Sequence, residues 1–119
     1  MCIRDSFGVP GYTGYCASKT ALLGLVRALS LEVAADKIQV NAICPGYTDT
    51  PMLQASMAHI VERSGLDEEQ TDAWFKSRNQ QDRLLDVEEV ADAILFMAGD
   101  GAKAMNGQIV TLDGGELVS

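Results

Sequence analysis

Between residues 15 and 35 the apolar positions are almost continuous. Leu22, Leu25, Val26, Leu29 and Val33 form one wide face, and Ala17, Ala21, Leu23, Ala28 and Leu31 carry the apolar surface around the cylinder. A surface helix needs a single stripe, so this pattern predicts a helix over 15–35, entered near Thr13 or Gly14, that is covered on two sides. The period then shortens. Ile38-Gln39-Val40-Asn41-Ala42-Ile43-Cys44 is short and rich in β-branched residues, which predicts a strand over 38–44 that Pro45-Gly46 ends. A loop through Thr48, Asp49, Thr50 and Pro51 leads to a helix expected over 52–61. A more polar helix is expected over 67–78, with Asp67, Glu68 and Glu69 complementing the dipole of its first turn. Asp86, with Glu89 three residues on, has the form of a capping box. Val90, Ala93, Ile94 and Met97 follow at helical spacing, and Gly99 or Gly101 stops that helix. Asn106-Gly107 is a turn before a last strand over 108–112, closed by Asp113-Gly114-Gly115.

Two strands joined by a helical crossover are normally parallel and belong to an α/β sheet. A parallel sheet is covered on both faces and has more than two strands. The pattern therefore implies an incomplete α/β unit, with strands missing before the long helix. The 119 residues suffice for one core. Residues 1–6, MCIRDS, fit nothing that follows and are expected to be a non-native leader, leaving 7–119 as the domain piece. Gly8, Pro10, Gly11 and Gly14 make the loop between them.

Composition narrows the function classes. A formal net charge of −8 disfavours nucleic acid and anionic membranes, which need a basic face. No apolar run is long enough to span a bilayer, and no secretory signal pattern is present, so a cytoplasmic location is expected. Cys2, Cys16 and Cys44 lack CxxC spacing and a neighbouring histidine, so free thiols and no metal site are expected.

The chemistry lies at the start of the long helix. Tyr15 and Lys19 are four residues apart, on one face and within reach of each other. A phenol normally titrates near about 10, and an ammonium beside it stabilises the phenolate. Such a pair can serve as a general acid and base. Taken alone, the spacing is met in many exposed helices. The surrounding text changes its meaning. Tyr15-Cys16-Ala17-Ser18-Lys19 resembles the YxASK motif of the short-chain dehydrogenases/reductases, and Thr20-Ala21-Leu22 continues it. Residues 38–46 are similar to the family's "I-x-V-N-x-I-x-P-G" strand and turn, with Thr48 and Thr50 in its P-G-x-x-x-T segment. Asn106-Gly107-Gln108 and Asp113-Gly114-Gly115 resemble its closing strand. The resemblance runs from about Gly8 to the C-terminus, with the motifs in order.

The resemblance implies a Rossmann-like doubly wound sheet, of which this chain holds the C-terminal part. It implies an oxidoreductase that passes a hydride between NAD or NADP and a small carbonyl or alcohol. Tyr15 would exchange the proton with the substrate oxygen. Lys19 would hold the nicotinamide ribose and favour the phenolate. Pro45 and Gly46 would shape the turn beneath the nicotinamide. Thr48, by its backbone, and Thr50, by its hydroxyl, would fix the carboxamide. A homo-oligomer, dimer or tetramer, is also implied. The family's glycine-rich pyrophosphate turn, its relay asparagine and the residue that chooses NAD or NADP have no counterpart here. The position of its catalytic serine, thirteen before Tyr15, is Cys2. The piece alone is therefore expected to be inactive. Two other readings stay open: a non-catalytic α/β oligomerisation remnant, and an epimerase or dehydratase of the extended branch, which shares Tyr-x-x-x-Lys. Pro45-Gly46, Thr50 and the short Asp113-Gly114-Gly115 ending favour the dehydrogenase branch.

Other residues have ordinary explanations. Tyr12 is a minor candidate for a substrate-pocket wall. His59, Met52, Met57, Trp74 and Phe75 fall where a lid is expected, between Thr50 and Arg78, and read as surface, lid or core packing. The Asp67–Glu69 run is a solvated helix start, and Asp113-Gly114-Gly115 is a loop with backbone needs. Nothing in the lid names the substrate.

Overall fold

The computed structural model describes residues 12–116; the expected leader over 1–6, with Cys2, and Gly8, Pro10 and Gly11 of the expected loop lie outside them. The order is α1 (Thr13–Glu32), a 3-10 turn (Ala34–Asp36), β1 (Ala42–Pro45), α2 (Pro51–Ser64), α3 (Glu68–Ser77), α4 (Val87–Ala98), a second 3-10 turn (Asp100–Ala102) and β2 (Ile109–Leu112). β1 and β2 pair in parallel, from Ala42 opposite Ile109 to Pro45 opposite Leu112.

Helices α2, α3 and α4 each start beside a side chain that bonds to backbone amides there, whereas α1 has no side-chain cap. The Thr50 hydroxyl accepts the Leu53 N–H at 3.2 Å, and Pro51 at the first helical position lacks the N–H that would otherwise be orphaned. The Asp67 carboxylate accepts the Gln70 N–H at 2.7 Å, while the Gln70 amide oxygen accepts the Asp67 N–H at 3.2 Å, a reciprocal box. The Glu89 carboxylate accepts the Asp86 N–H at 2.8 Å. Gly65 follows α2 in the left-handed region at φ 75°, and Gly99 ends α4.

Both strands are shorter than their sequence pattern, and the cause is side-chain stitching. β1 begins at Ala42 rather than at Ile38. The Val40 N–H is taken by the Asn106 side-chain oxygen at 3.0 Å, and the Gly107 N–H donates to the Val40 carbonyl at 2.8 Å. Asn41 spans the same gap, its amide donating to the Met105 carbonyl at 2.8 Å and accepting the Gln108 N–H at 2.9 Å. These residues pair with a turn, so the ladder starts only beyond them. On the other side Gln108 precedes β2 and gives its carbonyl to the Ala42 N–H at 2.9 Å. The long helix likewise stops at Glu32, and Lys37 at φ 61° closes the 3-10 turn.

Asn106 also fastens α1 to the sheet. Its amide donates to the Ser30 carbonyl at 2.9 Å. Gly107 sits so close to that helix that a Cβ would meet the Ser30 hydroxyl at 2.8 Å. Ser30 and Leu23 are the buried residues of α1; Leu22, Leu25 and Leu31 remain exposed, Leu31 at 78%. The two-sided cover that the apolar pattern of α1 calls for is not supplied by the described residues. Their buried apolar side chains are Leu23, Cys44, Met57, Phe75, Leu85 and Ala102.

Candidate active site

The candidate site residues lie on α1 and on the end of β1 with the segment that follows it. Tyr15 and Lys19 occupy the first two turns of α1. They share a face, with the Lys19 Nζ 5.6 Å from the centre of the Tyr15 ring. Both are half-buried, and Tyr12 packs edge-on against Tyr15 with ring centres 6.5 Å apart. The pairing follows from the helix itself: residues four apart stack one turn above the other.

The second group leaves the C-terminal end of β1. Pro45 is the last strand residue, opposite Leu112, and the buried Gly46 donates its N–H to the Leu112 carbonyl at 2.8 Å. The Thr48 hydroxyl donates to the Gly46 carbonyl at 3.1 Å, tightening the turn. Thr50 is engaged as the cap of α2. Its oxygen accepts there, so its hydroxyl hydrogen is still available to donate.

Beyond the turn the chain forms a bridge the sequence does not announce. Thr48 lies parallel to Leu85. The Leu85 N–H donates to the Tyr47 carbonyl at 2.9 Å, and the Asp49 N–H donates to the Leu85 carbonyl at 2.9 Å. Leu85 itself is buried. On either side of it, Arg83 grips Glu89 with two hydrogen bonds of 2.7 Å. That grip, and then the Asp86 N–H, hold the Glu89 carboxyl down at about 2, against an ordinary value near 4.5.

α3 closes on the same turn through an aromatic cluster. Tyr47 meets Phe75 edge-on at 4.8 Å and Trp74 at 6.4 Å between ring centres. The Arg78 guanidinium lies 5.9 Å from the Trp74 ring centre and 3.4 Å from the Glu116 carboxylate. Phe75 and Met57 are buried packing, whereas Trp74 and Met52 are exposed. His59 is exposed beside Glu62 and Arg63 on α2. Asp113-Gly114-Gly115 is a tight turn whose Asp113 carboxylate accepts the Gly115 N–H at 2.9 Å.

The donor set suits one end of a dinucleotide. An ammonium, a phenol and a strand-end turn with two threonines can grip ribose hydroxyls and an amide. Among the described residues no glycine-rich turn joins a strand to a helix as a pyrophosphate cradle would require.

The family model described as Enoyl-(Acyl carrier protein) reductase matches residues 2–116. The chain is 36% identical to a D-beta-hydroxybutyrate dehydrogenase of Rhizobium meliloti (strain 1021), a match covering 89% of this chain and 42% of that protein. A short chain dehydrogenase family protein from Francisella tularensis subsp. tularensis SCHU S4 superposes with a TM-score of 0.91 at 25% identity, over 98% of this chain and 48% of that one. An actinorhodin polyketide ketoreductase, solved with NADPH, superposes with a TM-score of 0.87 at 32% identity, over 95% and 43%. The chain belongs to the short-chain dehydrogenase/reductase family, and its fold is part of that family's Rossmann-like α/β sheet. It spans less than half the length of each of these relatives.

Proposed function

We propose that these residues are the C-terminal part of an NAD- or NADP-dependent oxidoreductase that interconverts a small carbonyl compound and its alcohol. The observation that carries the reading is the Tyr15–Lys19 pair on one face of α1, combined with the Pro45–Thr50 segment at the C-terminal end of a parallel strand. Open α/β sheets bind their ligands at that edge.

Tyr15 gives its hydroxyl proton to the carbonyl oxygen during reduction and takes it back from the alcohol during oxidation. The Lys19 ammonium stabilises the phenolate left behind and binds the ribose hydroxyls. Pro45 and Gly46 would form the floor under a nicotinamide ring, and the Thr48 backbone and the Thr50 hydroxyl would hold its carboxamide. A bound NADH or NADPH supplies the hydride. No helix among the described residues is long and apolar enough to cross a membrane, and a net charge of −8 disfavours nucleic acid as a partner. We infer a cytoplasmic enzyme that works as a homo-oligomer on small-molecule substrates.

The test is Tyr15→Phe in the intact protein, assayed by NADH and NADPH oxidation against a panel of carbonyl compounds. Loss of the acid and base lowers turnover by roughly a hundredfold to ten-thousandfold, while reduced cofactor binds as before. A variant with unaltered kcat would remove Tyr15 from the role.

A further inference from the structure

The Pro45–Thr50 segment is a loop, yet its work requires a fixed backbone. We propose that Arg83 and Glu89 are positioning residues for this segment, acting through the backbone of Leu85. This rests on the reading of Thr48 and Thr50 as nicotinamide-holding residues, and it deepens that reading.

The geometry is a closed clamp. The Arg83 Nη1 and Nη2 donate to the two Glu89 oxygens at 2.7 Å each, a fork-to-fork pair. Nη1 also donates to the Leu84 carbonyl at 3.1 Å, and Nε to the Gln81 side-chain oxygen at 3.1 Å. The Glu89 oxygen that takes Nη1 also accepts the Asp86 N–H at 2.8 Å. Residues 83–89 are thus drawn into a loop with α4 as its anchor. What remains free to point outward is the Leu85 peptide, and both of its polar groups go to the site segment: its N–H to the Tyr47 carbonyl and its carbonyl to the Asp49 N–H, each at 2.9 Å. Thr48, the residue between those two bonds, has its backbone placed by them.

The alternative for Arg83 and Glu89 is a surface ion pair that contributes little. Single exposed pairs are indeed weak. This one differs in its two-pronged geometry, and in that it constrains a buried residue whose backbone bonds reach the site from 37 positions further along the chain. Arginine is required for the fork, because a lysine ammonium is a point charge and cannot span both oxygens.

The experiment compares the intact protein with Glu89→Gln and Arg83→Lys. Residue-resolved amide exchange is measured first. The amides of Asp49 and Leu85 are expected to exchange about three- to tenfold faster in both variants. Those of Ala42 and Gly46, bonded to Gln108 and Leu112, keep their rates. Unchanged rates at Asp49 and Leu85, or equal acceleration everywhere, overturn the proposal. The second arm titrates NADH and ADP-ribose, which lacks the nicotinamide. Affinity for NADH falls by a similar factor and affinity for ADP-ribose stays. Faster exchange with unaltered NADH affinity also overturns it. If the unmodified protein binds neither nucleotide, the functional reading fails instead, and the exchange arm alone decides whether the clamp positions the loop.

Discussion

At the scale of single residues, two positions have consequences set by local geometry. Gly114 has φ 62°, in the left-handed region, and a Cβ added to it would lie on top of the Asn79 side-chain amide. Asn79 is buried and cannot swing aside cheaply, because its oxygen accepts the Gln81 N–H at 2.8 Å, and the next residue, Gln80, donates its N–H to the Gly114 carbonyl at 3.0 Å. Gly114→Ala is therefore expected to cost the intact protein about 1–3 kcal/mol, read as a lower melting temperature; a neutral result would mean that this corner relaxes freely. Glu89 gives a pH prediction. Its folded value of about 2 lies below the ordinary carboxylate value. The stabilisation it provides is thus complete above the ordinary value of 4.5 and is lost as pH falls toward the folded one. Denaturant melts of the intact protein and of Glu89→Gln are expected to differ by a constant amount above about pH 5 and to converge as pH drops below about 4. A difference that grows on acidification would show that Glu89 is not the ionised partner of Arg83.

Among the elements, α1 makes the strongest demand on the rest of the protein. It buries Leu23 and Ser30 and leaves Leu22, Leu25 and Leu31 exposed. Covering one such leucine is worth roughly 1.5–3 kcal/mol, and pairing two copies of the helix about a two-fold axis would do so symmetrically. The intact protein is expected to sediment as a dimer or larger species at micromolar concentration, and the double substitution Leu22→Glu with Leu25→Glu to release monomers. A strictly monomeric starting protein refutes this use of the helix. The elements also show what a sequence makes legible. Helices α2 to α4 could be read within a few residues because their signals are local: the loop ending at Pro51, the acidic start Asp67–Glu69, and Asp86 with Glu89. The proximity of Tyr15 and Lys19 was legible for the same reason, since a helix brings residues four apart together. The start of β1 was not, because Asn41 and Asn106, distant in sequence, determine it together. Nor was the clamp. The capping-box spacing explained Glu89 by itself, and nothing in the text around Thr48 points to Leu85.

For the whole molecule, the measure is how much apolar surface finds cover. The radius of gyration is 16.3 Å and the long dimension 55 Å, whereas a compact domain of this length would have a radius of about 14 Å. On α4, Ile94, Leu95 and Phe96 are each more than half exposed. The only neighbour of β1 in the described sheet is β2. A parallel sheet is stable when covered on both faces and flanked along its edges. The 119 residues by themselves are expected to melt without a cooperative transition, to expose apolar surface to dye, and to give no saturable NADH titration. A sharp melt with saturable binding would mean that the half-sheet is self-sufficient.

The aromatic corner on α3 has a further consequence. Trp74 is the only tryptophan in the chain, half-exposed and set edge-on against Phe75 and Tyr47. Tyr47 is flanked by Gly46 and Thr48, the residues proposed to meet the cofactor. Indole emission from these 119 residues is thus a local signal, arising where α3 meets the turn. A change in it would report a change in how Trp74 packs against Phe75 and Tyr47, beside the Pro45–Thr50 segment.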